Sequence, residues 1–255
     1  MLIDTHCHLL KEDYENVDEI ISHMGNNIMI ACGTNSKDNL EVIELCKKYP
    51  NIYGTIGFYP GELEGLTDDD FKLLEQQLQL PKIVGIGEIG LDYHYGKDNK
   101  EEQKKWFEKQ IELAQKLDKT IVIHSRDAAE DTYEILKNHH VEKNRVVMHC
   151  YSYSVEMAKK FTALGVMLGI GGVVTFHPDN TLSQVVKEID LDYLLLETDS
   201  PYLTPKPYRG HKNEPKNVEI VAEKISEIKG ISKENVVFST ASNAVRQFDL
   251  NIKVC

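Results

Sequence analysis

Apolar and polar positions along the chain alternate between two textures. Short apolar runs, many of them β-branched, recur over 2–8, 27–33, 52–59, 83–90, 120–124, 145–150, 166–172 and 194–198, and each reads as a strand. Between them lie polar stretches with helical periodicity, over 36–48, 68–80, 101–117, 128–138 and 155–164. In the longest, Trp106, Ile111, Leu113, Ala114 and Leu117 give the i, i+3, i+4 recurrence of an amphipathic helix. Eight strands separated by helices describe repeated βα units and a parallel sheet. At 255 residues the pattern favours a closed (β/α)8 TIM barrel, an α/β fold, over an open doubly wound sheet. Two later helices, over 215–228 and 232–248, complete or cap it. With no low-complexity linker or composition break, 1–255 reads as a single domain.

Composition narrows the chemistry. Hydrophobic residues make up 41% and charged residues 27%, which excludes disordered, collagen-like and coiled-coil chains. The net charge of −12 argues against sequence-independent wrapping of DNA, which draws on Lys and Arg. It leaves room for a nucleic-acid substrate if bound cations supply the positive charge. No segment approaches the roughly 20 apolar residues of a membrane span. The start, Met1-Leu2-Ile3-Asp4, lacks the basic and apolar regions of an export signal. The cysteines Cys7, Cys32, Cys46, Cys150 and Cys255 are odd in number and form no CxxC, which suits a reducing compartment, so a cytoplasmic protein is expected.

A barrel of this type places catalytic groups at the C-terminal ends of its strands. The first strand ends Asp4-Thr5-His6-Cys7-His8, and alternation puts His6 and His8 on one face, about 6.8 Å apart. The fourth ends Gly87-Glu88-Ile89-Gly90-Leu91-Asp92, the fifth in His124, the sixth in His149 and the eighth in Glu197-Thr198-Asp199. Any one of these histidines alone would ordinarily be structural, and a lone Glu88 or Asp199 would ordinarily cap a helix. Four histidines and two carboxylates at one rim are hard to obtain by packing, and they point to a metal site. Cys7 and Cys150 are turned by the same alternation to the opposite face and read as packing residues. The donors exceed what one tetrahedral zinc needs and suit two divalent ions sharing a carboxylate, with Mg, Mn and Zn all compatible. Two ions about 3.5–4 Å apart can clamp an attacking and a leaving oxygen and bring bound water to a pKa of about 7. The chemistry this serves is hydrolysis of a phosphoester or amide. No GxSxG, Walker or GxGxxG motif competes, and the glycine run at 169–172 reads as a tight turn.

These motifs resemble the TatD family of metal-dependent deoxyribonucleases, among the amidohydrolase-like barrels. The resemblance is carried by Asp4-Thr5-His6-Cys7-His8-Leu9, Gly87-Glu88-Ile89-Gly90-Leu91-Asp92-Tyr93, Ile123-His124-Ser125-Arg126-Asp127-Ala128 and Met148-His149-Cys150-Tyr151-Ser152. It continues in Glu197-Thr198-Asp199-Ser200-Pro201-Tyr202-Leu203, Arg209-Gly210, Asn213-Glu214-Pro215 and Asn243. It implies that His6, His8 and Asp199 hold one metal, that His124 and His149 hold a second, and that Glu88 bridges both. Asp199 would also orient the water or accept its proton. Related barrels often bridge with a carbamylated lysine, and the Glu88 strand end has none nearby. One departure stands out: the family's usual Gly-x-His-Pro is Gly57-Phe58-Tyr59-Pro60 here. Tyr59 can donate a hydrogen bond to a phosphate but cannot carry positive charge. It is expected to alter rate or substrate preference and to leave metal binding intact.

The segment 206–216 carries Lys206, Arg209, Lys212 and Lys216 against Glu214 alone. With Arg126, whose planar fork suits bidentate phosphate contact, it gives Arg126, Arg209, Lys212 and Tyr59 as candidate substrate contacts. Tyr202, Tyr208 and Phe176 on neighbouring loops could stack a base. No long basic groove is readable, so short or single-stranded DNA entering end-first, or RNA, is the expected substrate. This agrees with the 3′–5′ exonuclease activity the resemblance implies, and a monomer is expected. A small-molecule hydrolase (phosphotriesterase, lactonase or amidase) or an aminoacyl-tRNA deacylase could use the same metals. A non-catalytic scaffold would have no need of six convergent donors.

Overall fold

Eight parallel strands alternate with helices in the computed structural model, which describes residues 1–94, 99–178 and 180–254. Cys255 lies outside the described residues. The strands are β1 (Ile3–Cys7), β2 (Ile28–Cys32), β3 (Ile52–Ile56), β4 (Ile83–Asp92), β5 (Thr120–Arg126), β6 (Val146–Met148), β7 (Met167–Ile170) and β8 (Leu194–Leu196). They pair in chain order, and a parallel bridge between Cys7 and Ser200 brings the end of the last unit back to the first. At that seam the His8 N–H donates to the Ser200 carbonyl at 2.7 Å and the Asp199 N–H to the His6 carbonyl at 2.9 Å. The architecture is the (β/α)8 TIM barrel that the repeated βα pattern requires.

The outer helices are α1 (Val17–Ser22), α2 (Ser36–Lys48), α3 (Asp68–Gln77), α4 (Lys100–Leu117), α5 (Ala129–Asn138), α6 (Val155–Ala163), α7 (Thr181–Glu188) and α8 (Val218–Lys229), followed by α9 (Lys233–Gln247). Their starts follow side-chain chemistry. Asn35 caps α2 by accepting from the Lys37 and Asp38 N–H groups, and Thr67 with Asp70 forms a reciprocal capping box on α3. Ser154 and Asn180 cap α6 and α7 in the same way.

Inside the barrel, Ile3, Ile28, Ile30, Val122, Val147, Met167 and Leu195 form an apolar layer, against which α9 packs Ala241, Ala244 and Phe248. Gln247 at the end of α9 donates to the Val146 carbonyl at 2.9 Å and accepts from the Thr120 hydroxyl through its own carbonyl at 2.7 Å. Val146 and Thr120 begin their strands, so α9 closes the N-terminal end.

Several elements can be set against the sequence expectation. The run 145–150 leaves the sheet after Met148, and Cys150 takes a left-handed φ of 47°. The fourth strand does run to Asp92, and within it Gly90 adopts a φ of 142°, where a Cβ would sit 2.0 Å from the His124 carbonyl oxygen. The glycine run at 169–172 is only partly a turn: Gly169 belongs to β7, and Gly172 opens a 3-10 turn. The short helices α1 and α7 were not expected. No helix among the described residues is long and apolar enough to cross a membrane.

Candidate metal centre

The six strand-end residues converge at the C-terminal mouth. His6 comes from β1 and His8 from just beyond it, Glu88 from β4, His124 from β5, His149 from just after β6 and Asp199 from just after β8. Glu88 stands between two groups. Its Oε2 lies 3.5 Å from His6 Nε2 and 3.7 Å from His8 Nε2, while its Oε1 lies 2.8 Å from His124 Nδ1 and 3.0 Å from His149 Nε2. Asp199 Oδ1 completes the first group, 3.5 Å from His8 Nε2 and 3.7 Å from His6 Nε2. Donor atoms of His6, His149 and Asp199 lie within 4.8 Å of one another, as do those of Glu88, His124 and His149.

Second partners fix the ring orientations. His8 Nδ1 meets the Cys32 carbonyl at 3.1 Å, which leaves Nε2 for the centre. Asp92 Oδ2 meets His124 Nε2 at 3.1 Å, so Nδ1 faces Glu88. Sequence reasoning passed over this role of Asp92, although Asp92 lies four residues beyond Glu88 in one strand and shares its face. Deeper in, Asp4 accepts from the Thr198 hydroxyl at 2.6 Å and the Thr198 N–H at 3.0 Å, anchoring the turn that carries Asp199. Asp199 sits in that turn with a left-handed φ of 53°. Glu197 Oε1 accepts from the Cys150 N–H at 2.5 Å.

Burial and mutual charge set the protonation of the cluster. Burial alone would depress His8 and His124, but carboxylate partners outweigh it and lift both to about 9: Asp199 and Glu88 for His8, Asp92 and Glu88 for His124. His6 goes the other way, to about 4, because burial and the neighbouring His149 both disfavour its charge. Glu88 and Asp199 stay ionised: burial opposes their charge, but the imidazoles around them overcome it. Behind them burial lifts Asp4 to about 8 and, with the Asp199 charge, holds Glu197 well above the usual carboxylate range.

The donor set fits divalent ions. His6 is 1% exposed and neither ring nitrogen has a hydrogen-bond partner, nor has His149 Nδ1. An unpaired buried polar group costs roughly 1–3 kcal/mol, which a coordinated cation removes. With the protons of His8 and His124 displaced by the cation, the imidazoles and ionised carboxylates form the mixed nitrogen and oxygen set that zinc and manganese accept.

Above the centre opens a cleft of about 740 Å³. Of the expected substrate contacts, Arg126 and Tyr59 line it, and Arg209 and Lys212 do not. Tyr59 donates to Asp92 Oδ2 at 2.8 Å and packs edge-on against His124 at 4.8 Å. Arg209 stacks on the Phe176 ring at 3.9 Å, Lys212 donates to the Asp13 carbonyl, and Lys216 pairs with Glu214 at 2.8 Å. Tyr202 lines the mouth with its ring 6.0 Å from that of His8. Cys150 lines the cleft as well, contrary to its assignment as a packing residue, because strand alternation stops at Met148. Sequence reasoning also passed over an acidic rim of Glu12, Asp13, Asp38 and Glu62.

Comparison with known proteins agrees with this geometry. A family model described as TatD related DNase matches residues 3–249. The metal-dependent hydrolase YabD of Bacillus subtilis (strain 168) is 39% identical, the match covering 98% of this chain and 100% of that protein. The metal-dependent hydrolase YcfH of Escherichia coli (strain K12) is 33% identical, covering 98% and 96%. Among solved structures, the TatD homologue YJJV of Escherichia coli K12 superposes with a TM-score of 0.90 at 28% identity, covering 98% of each chain. A TatD family hydrolase of Entamoeba histolytica gives 0.86 at 25% identity, covering 97% of each chain. With a family match over nearly the whole chain and a cluster of candidate metal ligands at the barrel mouth, the chain belongs to the TatD-related DNase family as a metal-dependent hydrolase.

Proposed function

We propose that the protein is a deoxyribonuclease, a 3′–5′ exonuclease on short or single-stranded DNA that works with two divalent ions. The observation that carries this reading is the split of Glu88, one carboxylate oxygen facing His6 and His8 and the other facing His124 and His149. Those residues, with Asp199, would hold the ions. When bound, the ions supply Lewis-acid polarisation of a phosphoryl oxygen and ease deprotonation of water.

The chain's own groups do the rest. Asp199 is ionised, and its side chain is 14% exposed in the lining of the cleft, where it would orient an attacking water and accept its proton. Arg126 brings a guanidinium to the same cleft, where its fork suits a phosphate. Tyr202, 56% exposed at the mouth, offers a face on which a terminal base could stack. The acidic rim repels an extended phosphate backbone and supports entry of a strand end. The protein would act as a monomer. Cys7, Cys32, Cys46 and Cys150 are free, which supports the reducing cytoplasm as its compartment.

That rim also favours a second reading, a small-molecule hydrolase, since Arg126 is the one Lys or Arg lining the cleft among the described residues. Cleavage of single-stranded DNA labelled at its 3′ or 5′ end, with magnesium, manganese, zinc or chelator, decides between them. Metal-dependent laddering that starts at the 3′ end and disappears in Asp199→Asn is expected. A folded, metal-loaded protein that cleaves no DNA would move the assignment to the small-molecule reading.

A further inference from the structure

Cys32 sits beside the metal centre, and nothing in the mechanism above uses it. On β2, Ile28 and Ile30 point into the barrel with Ile3, Val122 and Leu195, whereas Met29 and Ala31 join the outer core under the helices. Cys32 is the next inward position, at the rim where the donors gather, and it is fully buried. Its sulfur, a His6 ring nitrogen and a Glu88 carboxylate oxygen lie within 4.8 Å of one another. Two adjacent donors of one ion, at about 2.1 Å for nitrogen and 2.3 Å for sulfur, stand roughly 3.1–3.6 Å apart for bond angles from a right angle to tetrahedral, within that limit. The ring it adjoins, His6, is buried with both nitrogens unpartnered. The thiol's contact with the Gly33 carbonyl is long, 3.7 Å, and weak, and the Thr55 hydroxyl approaches the same sulfur. The Cys32 carbonyl meanwhile holds His8 Nδ1, so one residue borders both imidazoles of β1.

We propose that Cys32 Sγ is a further ligand to the ion held by His6, His8, Glu88 and Asp199, and that it makes this position selective for zinc-like ions over magnesium. The inference rests on the metal-dependent hydrolase reading. On coordination the S–H bond breaks, its electron pair binds the ion and the proton passes to solvent. Sulfur donors favour zinc and cobalt, whereas an all-oxygen and imidazole set discriminates less against magnesium and manganese.

Cobalt(II) titration of the metal-free full-length chain tests this. The wild type and Cys46→Ser should show a thiolate-to-cobalt charge-transfer band in the near ultraviolet. Cys32→Ser should lose that band while its visible d–d absorption still reports the same cobalt stoichiometry. Zinc affinity of Cys32→Ser should fall by about tenfold or more, with manganese affinity held within about twofold. If Cys32→Ser does not fold, X-ray absorption of the zinc-loaded wild type decides, through a sulfur scatterer at about 2.3 Å. Cobalt uptake without the charge-transfer band, or a zinc shell of nitrogen and oxygen alone, overturns the inference and leaves the hydrolase reading standing. No cobalt uptake by the wild type overturns both.

Discussion

The two ends of the barrel are built from the same strands to opposite rules. At the N-terminal end, inward positions are Ile3, Ile28, Val122, Val147 and Leu195, and α9 closes the opening with Phe248. At the C-terminal end, the inward positions of those strands or their extensions are His6, Cys32, His124, His149 and Asp199. One end buries apolar surface and gains stability from it. The other buries ionisable groups, which cost free energy unless each is paired. Glu88 and Asp92 offset that cost by pairing with imidazoles, and Asp4 offsets it by remaining protonated. Stability and chemistry are therefore separated along the barrel axis, and a substitution at one end should leave the property of the other intact.

The largest test of that separation lies in the metal centre. Glu88→Ala and Asp199→Asn should each reduce hydrolysis by at least about a thousandfold, some 4 kcal/mol of barrier, with circular dichroism unchanged. Either variant keeping more than about a tenth of wild-type turnover, about 1.4 kcal/mol, would remove that residue from the mechanism.

Next comes the opposite end. Phe248 is 1% exposed in the inner layer, and Phe248→Ala should cost about 3–5 kcal/mol. For a chain of this size that corresponds to a Tm lower by roughly 10 °C. Turnover by the folded enzyme at 25 °C should stay within about twofold. A large loss of kcat with an unchanged Tm would show that the two ends are coupled.

The polar end should also impose its own pH dependence. His8 and His124 have folded pKa values of about 9 against an ordinary 6.5, so the metal-free fold binds protons that the unfolded chain has released. The stability these two contribute is fully present below about pH 6.5 and is lost as pH rises through 9. Metal-loaded imidazoles are already unprotonated and carry no such loss. The Tm difference between metal-loaded and chelated protein should widen by several degrees from pH 6.5 to 9.5, as scanning calorimetry can measure. A constant difference across that range would mean that the histidines are not proton-bound in the metal-free fold.

How much of this was legible in the sequence follows from the same division. Strand periodicity gave all eight strands, and α2 matches 36–48 at both ends because Asn35 caps it and Lys47 and Lys48 finish it. The convergence of the candidate donors at one rim was legible because strand alternation and the rule that chemistry sits at strand ends need no tertiary detail. Helix α1 escaped because six residues carry less than two turns of pattern. Helix α7 did offer a signal: Leu182, Val185 and Val186 share a face behind the Asn180 cap, but eight residues beside a glycine-rich loop read as more loop. The cations of 206–216 were legible as charge and not as partners, because Phe176, Asp13 and Glu214 come from elsewhere or turn back on the segment. Asp92 was legible as the end of the fourth strand, but its contact with His124 on the neighbouring strand needed the register of the sheet.

The smallest effect sharpens the comparison, because Tyr59 stands where the cleft meets the metal centre. Its hydroxyl donates to Asp92 Oδ2, the same oxygen that meets His124 Nε2. Tyr59→Phe removes one donor from a carboxylate that still holds the imidazole and also accepts from the His94 N–H at 2.8 Å. A hydrogen bond to a charged group contributes about 1.5–3 kcal/mol when nothing replaces it, and in the solvated cleft water replaces part of it. Turnover should therefore change by several-fold, on the order of 1 kcal/mol. Ion stoichiometry by calorimetry should stay that of the wild type, since Asp92 keeps its grip on His124. If Tyr59→Phe instead lost one bound ion, the hydroxyl would be part of what holds the second site, and the boundary between cleft and metal centre would lie one residue further out, at Tyr59 itself.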